Sequence, residues 1–423
     1  MFEPEHFTCQ SIRAHPRRAA VQRILAAAFR SAHAGEAVKH YLQAHSLPPA
    51  KRVFAFGLGK AACAMTSALS ASIGLTETLV VTKHASPLEF GPATVIEGDH
   101  PIPGDSSLRA GRAAREFVSR LTPDDLLVCL ISGGGSALMA APLIPLAALQ
   151  SLTASLLACG ARIDEINTLR RHLDSLKGGG LARAANGARI VSLILSDVVG
   201  DQIEAIASGP TAPDPSTRED AIAIIHKYGL DPSIISSFRE TAKPADPVFG
   251  RIENRIIASN DIALQAAQSQ AQQDGFSVEI IRSGMQGEAG EAGRELVEAL
   301  KQAGSRLARP FCLLAGGETT VTLRGDGRGG RNQELALGAV EALRGMDDVM
   351  LISLATDGED GPTDAAGAVT TGDSARRAES LGMAAPGYLS RNDAYAFFAG
   401  LDDLVKTGPS GTNVNDLVFL FAF

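Results

Sequence analysis

The chain has 423 residues, a net charge of −8, 45% apolar residues, and 43 glycines and 21 prolines spread between apolar runs. That is more chain than one core holds, so two domains are expected, and mixed charges without a basic block exclude a nucleic-acid footprint. Five scattered cysteines form no CxxC or Cys/His cluster, the N-terminus has no apolar signal-peptide core, and no apolar stretch reaches bilayer length; zinc binding and a membrane span are excluded and a cytoplasmic location is expected.

From about Pro16 to His45, apolar side chains at helical spacing predict one long amphipathic helix. Short β-type runs follow: VFAFGLG, TLVVTK, ATVIEG, DLLVCLISG and ARIVSLILSD, with helical patterns such as KAACAMTSALSASI and SSLRAGRAAREFVSRL between them. Continuous apolar strands separated by helices predict an α/β, Rossmann-like domain over residues 1–240, its mostly parallel sheet covered on both faces. The proline-bearing TAKPADPVFGRIEN reads as a crossing to a smaller α/β domain at 241–423, with strands in NRIIASN, FSVEIIRS, RPFCLLAGG, MLISLATDG and NDLVFLFAF.

In open α/β sheets, ligands bind beyond the carboxyl ends of strands, so the loops there carry the chemistry. GLGKAA, after the first strand, fits a loose GxGxxA dinucleotide fingerprint with Gly57, Gly59 and Ala62. An adenosine ribose needs an acid closing the next strand; Glu77 precedes that strand, which closes on Lys83 and His84. That disfavours NAD, leaves NADP open, and leaves Lys60 either as a surface lysine or as an ammonium facing phosphates. ISGGGSAL places Gly133, Gly134 and Gly135 between Ser132 and Ser136, ahead of a helix expected near Ala137, as a phosphate cradle that is not a Walker A loop. In INTLRRHLDSLKGGGLA, Arg170, His172 and Lys177 precede a triple glycine, which suits anion binding or a plain glycine C-cap.

LSDVVGDQIEAIASGPTAPDP puts Asp197 at a strand end and Asp201 four residues on; either can hold Mg²⁺ or accept a hydroxyl proton, with helix capping as the plain alternative for Asp201. In LAGGETTVTLRGDGRGGRNQELAL, Arg331 starts a helix, where a guanidinium can clamp a carboxylate or a transferring phosphoryl group, and Glu318 is a metal ligand or an orienter of that arginine. ATDGEDGPTDAAGAV gathers Asp357, Asp360 and Asp364 for Mg²⁺ or hydroxyl binding, or only for turn formation.

These runs, with the terminal GTNVNDL, occur in order over nearly the whole chain and resemble the type-2 glycerate kinases, whose C-terminal domain is called MOFRL. The resemblance implies phosphorylation of D-glycerate to 2-phosphoglycerate by ATP with Mg²⁺ or another divalent metal, in a cleft between two domains. It matches Lys60 and Arg331 to the family's catalytic lysine and arginine, and it leads one to expect serine where Asp174 stands. Asp197 is the expected base or Mg²⁺ contact, and Ser132–Ser136 the cradle for ATP phosphates. Some members of the family carry the label hydroxypyruvate reductase, so an NAD(P)H-dependent reductase is the rival; all nine histidines precede Lys227, and its proton donor would be His84, His100 or His172. A non-catalytic sugar-acid-binding protein is the third reading. Whether the chain is a monomer or a homodimer is left open.

Overall fold

The computed structural model describes residues 2–86 and 93–423. Its strands are β1 (Arg52–Leu58), β2 (Glu77–Thr82), β3 (Ala93–Glu97), β4 (Asp125–Ile131), β5 (Arg189–Leu195), β6 (Ile252–Ala258), β7 (Ser277–Met285), β8 (Phe311–Gly317), β9 (Val349–Ala355), β10 (Gly367–Thr371), β11 (Leu404–Val405) and β12 (Asp416–Ala422). The first six form one sheet in the order β3-β2-β1-β4-β5-β6, with every ladder from β3 through β5 parallel. β4 is buried along its whole length, because helices cover both faces of a parallel sheet. The strand order reverses between β1 and β4, the place where a doubly wound sheet opens a crevice.

The second sheet runs β11-β10-β9-β12-β8-β7 and is mixed. Only β7–β8 is parallel, and the other ladders are antiparallel. Its core is built from β8, β9 and β12 against the helices Ala289–Gly304 and Arg331–Leu343. Both sheets bear out the α/β expectation. β10 and β11 lie where the sequence shows only glycine loops and a short apolar pair.

Two boundaries differ from expectation. The expected single helix breaks at His33, whose extended backbone separates Arg18–Ala32 from Ala34–Ala44. Arg18–Ala32 packs on the helix Asn260–Gln273, and Ala34–Ala44 packs on Ala62–Ser72. The chain therefore divides into one unit of residues 34–257 and another of residues 1–33 with 258–423. The run NRIIASN, expected in the second domain, supplies β6 beside β5 of the first sheet. The division thus falls at the end of β6, between residues 257 and 258, rather than at residue 240.

Candidate active site

In the unit of residues 34–257, the register Leu58↔Ile131 and Ile131↔Ile194 aligns the carboxyl ends of β1, β4 and β5. Three loops leave from this line. Ser132 N–H donates to Leu58 O (2.8 Å), Lys60 N–H to Gly133 O (3.0 Å), and Ala61 N–H to the Ser132 hydroxyl (3.0 Å). Ser132 is buried and its hydroxyl clasps the Lys60 turn, so it is not offered to a ligand as expected. Gly57 lies inside β1, where a side chain would strike Thr66. Gly59 turns the chain with φ +121°, and its Cα faces the Ser132 backbone. The glycines of the GxGxxA pattern thus allow close strand–helix packing at Gly57 and a close approach of the first turn to Ser132 at Gly59.

The glycine loop does present donors. The N–H groups of Gly133, Gly134, Gly135 and Ser136 donate to no acceptor among the described residues. Four successive unpaired N–H groups form an anion-binding concavity. The expected supporting helix is only the single turn Gly135–Leu138. Lys60 lies across this loop: a methyl on Gly134 would stand 3.2 Å from its Cγ and from its Cε. Lys60 is exposed and has no ion-pair or hydrogen-bond partner among the described residues. The carboxylate of Asp197 borders the same loop, and a side chain on Gly133 would overlap its Oδ2.

Ser136 Oγ lies 2.7 Å from Ser208 Oγ. Ala207 and Ser208 are successive non-glycine residues at positive φ (51° and 61°), a conformation held only where the surroundings enforce it. That enforcement comes from Gly178 N–H on Ser208 O (3.0 Å) and Gly179 N–H on Gly209 O (2.8 Å). The second triple glycine therefore braces the serine loop rather than a ligand. Lys177 is buried, donating to Asp174 Oδ2 (2.5 Å) and Met139 O (3.0 Å), and so is withdrawn from the anion-binding role expected of it. Asp201 sits in a turn at φ 54°, its N–H on Val198 O, and caps no helix. Arg170 is half-buried at the end of the helix Ile163–His172.

In the other unit, Asp416 opens β12 directly beside Gly317, the last residue of β8. The two oxygens of Asp416 take Arg331 Nε (2.6 Å) and Nη2 (3.1 Å), and Glu318 takes Nη1 (2.7 Å). Burial works against the charged form of Arg331, but Asp416 and Glu318 hold it well above its ordinary value. Burial pushes the Asp416 carboxyl up against the pull of the guanidinium. Of the five guanidinium N–H groups, two remain for a ligand, and the side chain keeps 29% exposure. Glu318 is thus the orienter of Arg331. Asp360 takes Asn332 N–H (3.0 Å) and Gln333 N–H (2.8 Å), capping the helix that Arg331 begins. Asp364 pairs with Lys406 (2.9 Å). Asp357 takes the Glu359 N–H (3.2 Å), so the three loop acids point to separate tasks. No trio of His, Cys, Asp or Glu able to hold a metal occurs among the described residues.

A family model described as a domain of unknown function, DUF4147, matches residues 20–242, and the MOFRL family model matches residues 311–416. The D-glycerate 2-kinase of Thermotoga maritima is 41% identical over 377 residues, covering 87% of this chain and 90% of that protein. The chain belongs to the type-2 glycerate kinase family. A crystal structure of glycerate kinase from Thermotoga maritima superposes with a TM-score of 0.89 at 38% identity, covering 96% of this chain and 99% of that one. A putative hydroxypyruvate reductase of Agrobacterium vitis is 41% identical over 415 residues, covering 95% and 93%. In this type-2 glycerate kinase relative, Asp174 replaces the expected serine and supplies the buried countercharge of Lys177, while also taking Ala141 N–H and Leu176 N–H (2.9 Å each). Sequence reading gave no role to Asp416, although the terminal NDL of the family run carries it, and His100 was weighed only as a reductase acid.

Proposed function

We propose that the protein transfers the γ-phosphoryl group of ATP to the 2-hydroxyl of D-glycerate. The observation that carries this reading is the run of four N–H groups at Gly133–Ser136, with the Lys60 ammonium laid across it, all without a partner among the described residues. Phosphoryl transfer asks mainly for positioning and for neutralising charge on the moving group. The N–H groups bind phosphate oxygens without delivering a proton, and Lys60 adds the positive charge that lowers the barrier. In the other unit, Asp416 fixes the plane of the Arg331 guanidinium and leaves two N–H groups that suit a phosphoryl or carboxylate oxygen.

In the reaction, the glycerate hydroxyl oxygen forms the new P–O bond, the P–O bond to ADP breaks, and the hydroxyl proton passes to a carboxylate. Asp197, at the end of β5 and beside Gly133, is assigned that proton. Mg²⁺ bound to ATP needs only one or two protein carboxylates, because phosphates and water fill its remaining positions, and Asp197 fits that demand too. When bound, the ion neutralises charge on the β- and γ-phosphates.

The reductase names among relatives define the rival reading. It needs a pyrophosphate at the first turn, where Gly59 packs on Ser132. Purified protein given D-glycerate, ATP and Mg²⁺ is expected to form 2-phosphoglycerate and ADP in equal amounts. Oxidation of NAD(P)H with hydroxypyruvate, and no ADP in the first assay, would refute the kinase assignment.

A further inference from the structure

Basic groups gather beside the Gly133–Ser136 loop beyond what phosphate binding there requires. His100 Cδ2 lies 3.4 Å from where a methyl on Gly134 would stand, on the face that Lys60 covers. Burial pushes the His100 imidazole down, and Lys60, Lys83 and Arg170 push it the same way, with no carboxylate opposing them. The helix Ile163–His172, which carries Arg170 in its last turn, packs on residues 206–208, the segment whose Ser208 meets Ser136. Its neighbour Arg171 is ion-paired with Asp214 (3.0 Å) and donates hydrogen bonds to Thr168, Ser216 and Glu204 O. Arg170 has no ion-pair or hydrogen-bond partner among the described residues, although it is withdrawn from water far enough for burial alone to pull its pKa down.

An unpaired, half-buried guanidinium is costly to keep unless an anion visits it. The loop N–H groups and Lys60 already answer the phosphates. The acceptor brings one more anion, its carboxylate, attached to the carbon that bears the reacting hydroxyl. We propose that Arg170 anchors the carboxylate of a small 2-hydroxy acid, so that the 2-hydroxyl is presented toward Lys60. This rests on the assignment of phosphoryl transfer to the Lys60 loop. A planar guanidinium fork fits a carboxylate with two parallel hydrogen bonds and leaves a neutral triol such as glycerol without an anchor.

The test compares wild type, Arg170→Met and Arg170→Lys in two measurements. Calorimetric titration with D-glycerate, without nucleotide, is expected to show binding to wild type, none with glycerol, and a Kd raised ~30-fold or more in Arg170→Met. In steady-state kinetics the KM for D-glycerate is expected to rise by a similar factor while the KM for ATP stays within about twofold; Arg170→Lys recovers part of the loss. An unchanged glycerate Kd and KM in a folded Arg170→Met, or a rise confined to the KM for ATP, overturns the anchor. Should Arg170→Met not fold, an unchanged glycerate KM in Arg170→Lys overturns it equally. Arg170-dependent glycerate binding without phosphoryl transfer sinks the kinase reading and keeps the anchor. Transfer with an unaltered glycerate KM does the reverse.

Discussion

Lys60 stands at the end of a buried strand, exposed and without a partner among the described residues, so its charge is available to a ligand and contributes nothing to local packing. Lys60→Met is therefore expected to lower kcat by roughly 10³-fold while leaving the urea midpoint unchanged; near-normal turnover would remove it from the chemistry. Asp416 is the opposite kind of residue, buried, with both oxygens spent on Arg331. Asp416→Asn keeps the shape but drops the charge, and a stability loss of about 2–3 kcal/mol is expected from urea unfolding, because a partly buried guanidinium loses its countercharge. His100 gives a sign-definite pH effect. Its folded pKa lies below the ordinary 6.5, so the unfolded chain binds the extra proton first. Its stabilising contribution is complete above pH 6.5 and is lost as pH falls through the depressed value. His100→Gln should flatten that acid limb of the stability curve, and an identical limb would count against the cationic surroundings described. Lys60, Arg331 and the glycine loop were legible because strand-end glycines with basic residues leave a local mark. Asp416 was not, because only the pairing Asp416↔Gly317 brings residues 85 positions apart to one carboxylate–guanidinium contact. Ser132 and Lys177 were misread because sequence marks a polar side chain but not the direction in which it is spent.

Among the elements, the turn from β4 into Gly135–Leu138 is the most demanding. Gly134 holds φ +82°, and Gly133 has no space for a side chain beside Asp197. Gly133→Ala tests that second constraint alone, since its φ is not positive. The added methyl must displace the Asp197 carboxylate, and a fall of about 10²-fold in kcat/KM is expected, with a smaller change in melting temperature. The helix Arg331–Leu343 begins against Asp360, whose carboxylate already occupies its N–H groups. Asp360→Ala should cost about 1–2 kcal/mol in thermal or urea unfolding as the cap is lost. Most strands and helices were legible from apolar period and length. β10 was not, since GAVTT follows a loop rich in glycine and acid and becomes a strand through its ladder to β9. Nor was the break at His33, where helical period continues on both sides and the interruption is set by two different packing partners.

At the scale of the whole chain, the N-terminal helix and the C-terminal half form one unit. Val21, Ile24, Leu25, Ala28 and Phe29 are fully buried in the helix Arg18–Ala32, and each large one contributes ~1.5–3 kcal/mol by burial. A segment of residues 258–423 made alone is expected to aggregate or to resist no protease, whereas adding residues 1–33 in trans should restore protection. Protection of 258–423 by itself would show the helix to be dispensable. Sequence could separate the two sheets but not assign the first helix, because an amphipathic stripe states that a face is buried and not against what. The discontinuity also has a meaning in time. On a translating ribosome the helix Arg18–Ala32 appears early, and its counterpart Asn260–Gln273 is made only after the whole of residues 34–257. At ordinary elongation rates that interval is roughly 10–45 s. For that long the nascent chain carries an apolar stripe with no mate, while the inserted unit has all its own strands and can close first. Synthesis speed and holdase chaperones should therefore govern the yield of this protein more than its final stability does.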